Sequence, residues 1–80
     1  EQFPNIEARR VESNVHVKFN ADTYIIPWVA YATDGTVAAI VPEDMPVQKI
    51  GKTIARKIGK GRPINFYTPS MTHMGSAFSR

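Results

Sequence analysis

Eighty residues without cysteine, with ten Lys and Arg against seven Asp and Glu, make one domain close to the smallest size at which a core closes unaided. A disulfide framework and a cysteine metal site are excluded, and a reducing, cytoplasmic setting is the expectation. The net charge of +3 hides an asymmetry: residues 1–44 hold three cations and seven acids, for −4, whereas residues 45–80 hold seven cations and no acid, for +7.

No signal peptide or membrane span can be drawn, because the longest apolar run, residues 24–32, is short and broken by Pro27. A first residue of Glu1 and not methionine suggests processing. Phe3-Pro4 favours an extended arm, and weak alternation over residues 5–12 predicts a strand. Ser13-Asn14 reads as a turn. Beyond it Val15, Val17 and Phe19 alternate with His16, Lys18 and Asn20, the pattern of a strand with one wet face, so the two strands should form a hairpin about Ser13-Asn14.

A turn cluster at residues 20–22 leads into β-branched, apolar residues 23–33, then Asp34-Gly35, then residues 36–41. Asp-Gly between such runs predicts a hairpin with a two-residue loop, which would pair Thr33 with Thr36, Ala32 with Val37, Tyr31 with Ala38, Ala30 with Ala39, Val29 with Ile40 and Trp28 with Val41. One face would then carry Ile26, Trp28, Ala30 and Ala32 with Val37, Ala39 and Val41, its alanines leaving space for a helix. The other would carry Ile25, Val29 and Tyr31 with Ala38 and Ile40. Neither face is polar, so either the N-terminal segment folds across the second face or another copy of the chain covers it, and a homodimer is expected. Pro27 predicts an edge strand or a bulge.

Residues 46–62 read as an amphipathic helix of about fourteen residues. Val47, Ile50, Ile54 and Ile58 share a face, and Lys49, Lys52, Thr53, Arg56 and Lys60 lie opposite. Glu43-Asp44 offers an N-cap and negative charge, Pro46 suits a first turn, Gly59 or Gly61 can end the helix in a left-handed conformation, and Pro63 forbids a restart. Gly51 costs roughly 1 kcal/mol against alanine, so the helix needs a sheet to lie on. Residues 64–68 predict a last strand. Residues 69–80, rich in Ser, Thr, Gly and Met without period, read as a tail.

Ile50-Gly51-Lys52-Thr53 resembles the end of a phosphate-binding loop, but the loop requires a glycine where Pro46 stands and a strand leading into it. His16 and His73 have no second metal ligand at a suitable spacing, and serines and carboxylates lack a partner base, so an enzyme is not expected, nor a metal or other cofactor. The basic helix face remains. Lysines on a solvated face are ordinary, yet Lys52 with Arg56 and Arg56 with Lys60 are like-charged i,i+4 pairs, each costing about 0.2–0.5 kcal/mol, and a polyanion would turn that repulsion into attraction.

The sequence therefore predicts an α+β fold: an antiparallel sheet of about four strands, with room for a fifth, and one amphipathic basic helix packed on one face. Residues 1–68 would form the domain and residues 69–80 a flexible tail. The expected function is non-enzymatic binding of DNA or RNA, largely independent of sequence, with Lys49, Lys52, Arg56, Lys57, Lys60 and Arg62 on phosphates and no membrane partner. The alternative is a protein-interaction module, a small inhibitor or assembly factor, working through the apolar hairpin face.

Overall fold

The computed structural model describes residues 8–78. Five strands and one helix follow in the order β1 (Ala8–Phe19), β2 (Asp22–Ala32), β3 (Val37–Ile40), α1 (Val47–Ile54) continued by a π turn (Ala55–Gly59), β4 (Ile64–Tyr67) and β5 (His73–Ala77). The strands form one sheet in sequence order. All neighbours are antiparallel except β3 and β4, which run parallel. The α+β class is as expected, but the sheet is mixed and five-stranded. A helix between two strands of one sheet is the kind of long crossover a parallel pair needs, so α1 itself sets the direction of β4. Among the described residues no helix is long and apolar enough to cross a membrane.

The N-terminal hairpin turns at Asn20-Ala21, with Phe19 opposite Asp22 and Asn20 left-handed at φ 52°. The expected turn at Ser13-Asn14 is instead the middle of a continuous strand; of the strand foreseen over residues 5–12, the part before residue 8 lies outside the described residues. Asn14 takes φ 54°, a conformation asparagine tolerates, and it faces Pro27, which has no N–H to give. Regular pairing resumes on both sides, Ser13 with Trp28 and Val15 with Ile26. The alternation of faces slips here in both strands together: Ile26 and Val29, three residues apart, enter the same core. Pro27 thus marks an irregularity, as expected, but β2 is an interior strand whose pairing with β3 begins only at Trp28.

The second hairpin is longer by one residue than Asp34-Gly35 predicts. Tyr31 pairs with Val37, Ala30 with Ala38 and Val29 with Ala39, leaving a three-residue loop in which Gly35 N–H donates to the Ala32 carbonyl at 3.2 Å and Gly35 has φ 96°. The Asp34 carboxylate accepts from the Thr36 backbone N–H at 3.0 Å and from its hydroxyl at 2.7 Å. These bonds, the backbone one foremost, hold the Asp34 carboxyl below its ordinary range. One residue of register exchanges the faces. The helix side carries Val29, Tyr31, Val37, Ala39 and Val41, and the alanines foreseen beneath the helix, Ala30 and Ala32, are buried with Ala38 on the opposite side, outside the main core.

The helix lies on that first face. Ile50, Ile54 and Ala55 are fully buried and Val47 and Ile58 nearly so, against Ile64 and Phe66 of β4. Each large apolar side chain contributes roughly 1.5–3 kcal/mol by leaving water. Gly51 and Gly59 let the helix approach closely: a Cβ on Gly51 would stand 3.2 Å from Ala77 Cβ, and one on Gly59 2.9 Å from Ile64 Cδ1. Pro46 occupies the N-cap position, with no side-chain cap and no acid in the first turn; Glu43 and Asp44 belong to the preceding tight turn, where Met45 N–H donates to the Pro42 carbonyl. At the other end Lys60 N–H reaches back five residues to Ala55 O at 2.7 Å, and Lys60 itself, not either neighbouring glycine alone, takes the left-handed stop at φ 49°. Residues 73–77, assigned by sequence to a flexible tail, are strand β5 on the free edge of β4.

Candidate nucleic-acid interface

The cations of the helix are displayed where periodicity puts them. Lys49, Lys52, Arg56, Lys57 and Lys60 are exposed, while the opposite side of the same turns is buried. Among the described residues the ion pair that forms is Arg10 with Glu12, at 3.3 Å on the first strand, so no carboxylate neutralises the helix cations. Lys49 Nζ lies 5.9 Å from the centroid of the Phe19 ring, a cation–π contact at the tip of the first hairpin. That contact exists because the slip at Asn14 turns Val15, Val17 and Phe19 towards the helix side.

Arg62 departs from this row. It is half-buried and lines a cleft of about 550 Å³ at the C-terminal end of the helix, with Arg10, Tyr31, Ile58, Gly59 and Lys60. Register explains the meeting: Arg10 pairs with Tyr31 across β1 and β2, and the helix runs back from the end of β3 to the start of β4, beside the same end of the sheet. The Arg10 guanidinium sits 4.2 Å over the Tyr31 ring, and the Tyr31 hydroxyl donates to Glu12 Oε1 at 3.2 Å. Burial above all pushes the Tyr31 phenol above its ordinary value; Glu12 pushes the same way and Arg10 opposes. The hydroxyl therefore stays protonated and donating through neutral pH.

Tyr31→Phe tests this arrangement. The group is held protonated in the folded state, so its contribution is complete below the unfolded value near 10 and is lost as pH rises through the raised folded one. The substitution is expected to lower stability by about 1 kcal/mol at pH 7 and to flatten the alkaline decline, read from urea unfolding at pH 7 and pH 10.5. Identical alkaline slopes in both proteins would remove Tyr31 from the account.

A second polar cluster lies on the sheet face away from the helix. Ser76 Oγ donates to Asn65 Oδ1 at 2.7 Å, and His73 Nε2 is 3.3 Å from Asn65 Oδ1 and 3.4 Å from Ser76 Oγ. The serine hydroxyl donates to the amide at the shorter distance, and the cluster ties β4 to β5. The Tyr67 ring meets His73 edge-on, centroids 5.4 Å apart. Among the described residues no three His, Asp or Glu side chains converge as metal ligands.

Sequence reasoning missed Arg10, which lies in the acidic half and reaches the cations of the basic half only through strand pairing. The signal present in the chain was Arg10 and Glu12 at strand spacing, one face of β1. Compared with protein-family models, with curated proteins and with solved structures, the chain gives no match.

Proposed function

We propose that the protein is a small non-enzymatic nucleic-acid-binding protein that takes up DNA or RNA through backbone phosphates, largely without regard to sequence. The observation that supports this is the row Lys49, Lys52, Arg56, Lys57 and Lys60, exposed along one helix and unpaired with any carboxylate among the described residues. From Lys49 to Lys60 a helix rises about 16 Å. Phosphates on one strand of a duplex advance by about 3.4 Å each, so the row spans roughly five and can contact three or four at once. Arg62, set back in the cleft, adjoins the row at one end. A cytoplasmic setting goes with such a partner.

The test is a titration of labelled single- and double-stranded DNA and RNA at 50 and 200 mM salt. Three or four contacts give a slope of about −3 to −4 on duplex DNA, so affinity should fall about a hundredfold across that range. No binding at 50 mM salt, or binding indifferent to salt, would sink the reading.

A second reading, contact with protein through the sheet face away from the helix, is favoured by Val11 and Ile25, which are 51% and 46% exposed. Its natural form is a homodimer. Sedimentation at micromolar concentration decides it: an 8.9 kDa species means a monomer, and twice that mass supports the dimer.

A further inference from the structure

The cleft at the C-terminal end of the helix gathers cations from separate stretches of the chain: Arg10 from β1, Lys60 and Arg62 from the turn after the helix. Tyr31, Ile58 and Gly59 complete its lining. Its volume, about 550 Å³, is that of a site for a small organic molecule, for which roughly 300–1,000 Å³ is usual.

Charge narrows the occupant. Among the described residues three cations line the cleft and the nearby carboxylate, Glu12, is held by Arg10 at 3.3 Å, so two positive charges are in surplus. A phosphomonoester carries about −1.5 to −2 at neutral pH, whereas an internal phosphodiester carries one negative charge. Helix C-termini ordinarily repel anions. Here the Ala55 carbonyl accepts from Lys60 N–H at 2.7 Å and the Gly59 carbonyl from Arg62 N–H at 3.2 Å, so two carbonyls of the last turn are already engaged. The left-handed Lys60 and Gly61, at φ 49° and 90°, turn the chain sharply so that Lys60 and Arg62 both border the same space.

We propose that this cleft is a binding site for a phosphomonoester of a small organic group, the phosphate seated among Arg10, Lys60 and Arg62. Two sources share that chemistry, a free mononucleotide and the phosphorylated end of a nucleic-acid strand. The second rests on the function proposed above; the first does not.

The experiment follows backbone amide shifts of the full chain during titration with AMP, its cyclic 3′,5′-diester, adenosine and inorganic phosphate. AMP is expected to shift Tyr31 and residues 59–62 saturably, the cyclic diester to bind at least fivefold more weakly, and adenosine to leave them unmoved. Lys60→Ala and Arg62→Ala should each weaken AMP at least tenfold, while Lys18→Ala, at the far end of the first hairpin, leaves it unchanged. Lys60 is exposed, so its variant keeps the test valid if Arg62→Ala disturbs the turn. Equal shifts from adenosine and AMP, shifts spread evenly over Lys49 to Lys57, or AMP binding indifferent to Lys60→Ala would overturn the site. A 5′-phosphorylated oligonucleotide preferred over its 5′-hydroxyl form assigns the strand end, and no preference assigns the free nucleotide. Loss of all oligonucleotide binding with AMP retained would sink the nucleic-acid function and leave the cleft standing.

Discussion

Phe66→Ala is expected to lower the melting temperature by about 15 °C or more, the largest effect of a single substitution here. Phe66 is 1% exposed on β4, an interior strand, and its Cε2 lies 3.7 Å from where a Gly51 Cβ would stand, so the ring fills the space directly under the helix. Truncating such a ring costs about 3–5 kcal/mol. A domain of this length has roughly 4–12 kcal/mol in total, so about a quarter or more of it is lost. Gly51 cannot close the gap, having no side chain to lean in. Phe78→Ala is the control, since that ring is 49% exposed and its loss should stay within about 0.5 kcal/mol. Thermal unfolding followed by circular dichroism reads both; equal shifts in the two variants would mean the helix does not rest on Phe66.

Lys52→Glu with Arg56→Glu is expected to reduce affinity for duplex DNA at 50 mM salt by on the order of a hundredfold or more. Two phosphate contacts vanish, and each is replaced by a repulsion at the centre of the row. The fold should be indifferent. The two new carboxylates repel each other about as much as the native cations do, and the one at 56 gains an attraction to Lys60, each term being about 0.2–0.5 kcal/mol. Both positions are exposed and unpaired. A melting temperature within a few degrees of the native one, together with collapsed binding, identifies the helix as the contact surface. Retained affinity in a folded double variant would show that the cations of the helix only solvate it.

The helix was legible because one residue pattern answered two demands: Val47, Ile50, Ile54 and Ile58 share the buried side, and what is left over is cationic. Its stop was misread by one residue, since the widened last turn delivers Lys60 to the left-handed position ahead of Gly61. Hairpin register was not legible. Asp-Gly announces a tight reversal, but it does not say whether the loop holds two residues or three, and that difference decides which β2 residues share a face with Val37, Ala39 and Val41. Ser13-Asn14 has the composition of a turn, yet β2 supplies a partner along the whole length of β1, and pairing overrides local preference. For the same reason residues 73–77 become a strand with little propensity of their own. Of the candidate interface, the five helix positions were readable. The cleft was not, because Arg10 and Tyr31 meet Lys60 and Arg62 only once strand order and register exist.

The slip shared by Asn14 and Pro27 has an effect outside the core. Among the described residues β1 is the margin of the sheet, a long strand whose outward N–H and C=O groups would otherwise template an incoming chain. The left-handed Asn14 divides that margin into residues 8–13 and 15–19, so an incoming strand could follow both only by slipping at the same point, as β2 does at Pro27. Lys18 charges one run and Arg10 with Glu12 the other. A hinge that lets the first hairpin roof the helix thereby also hinders strand addition along β1.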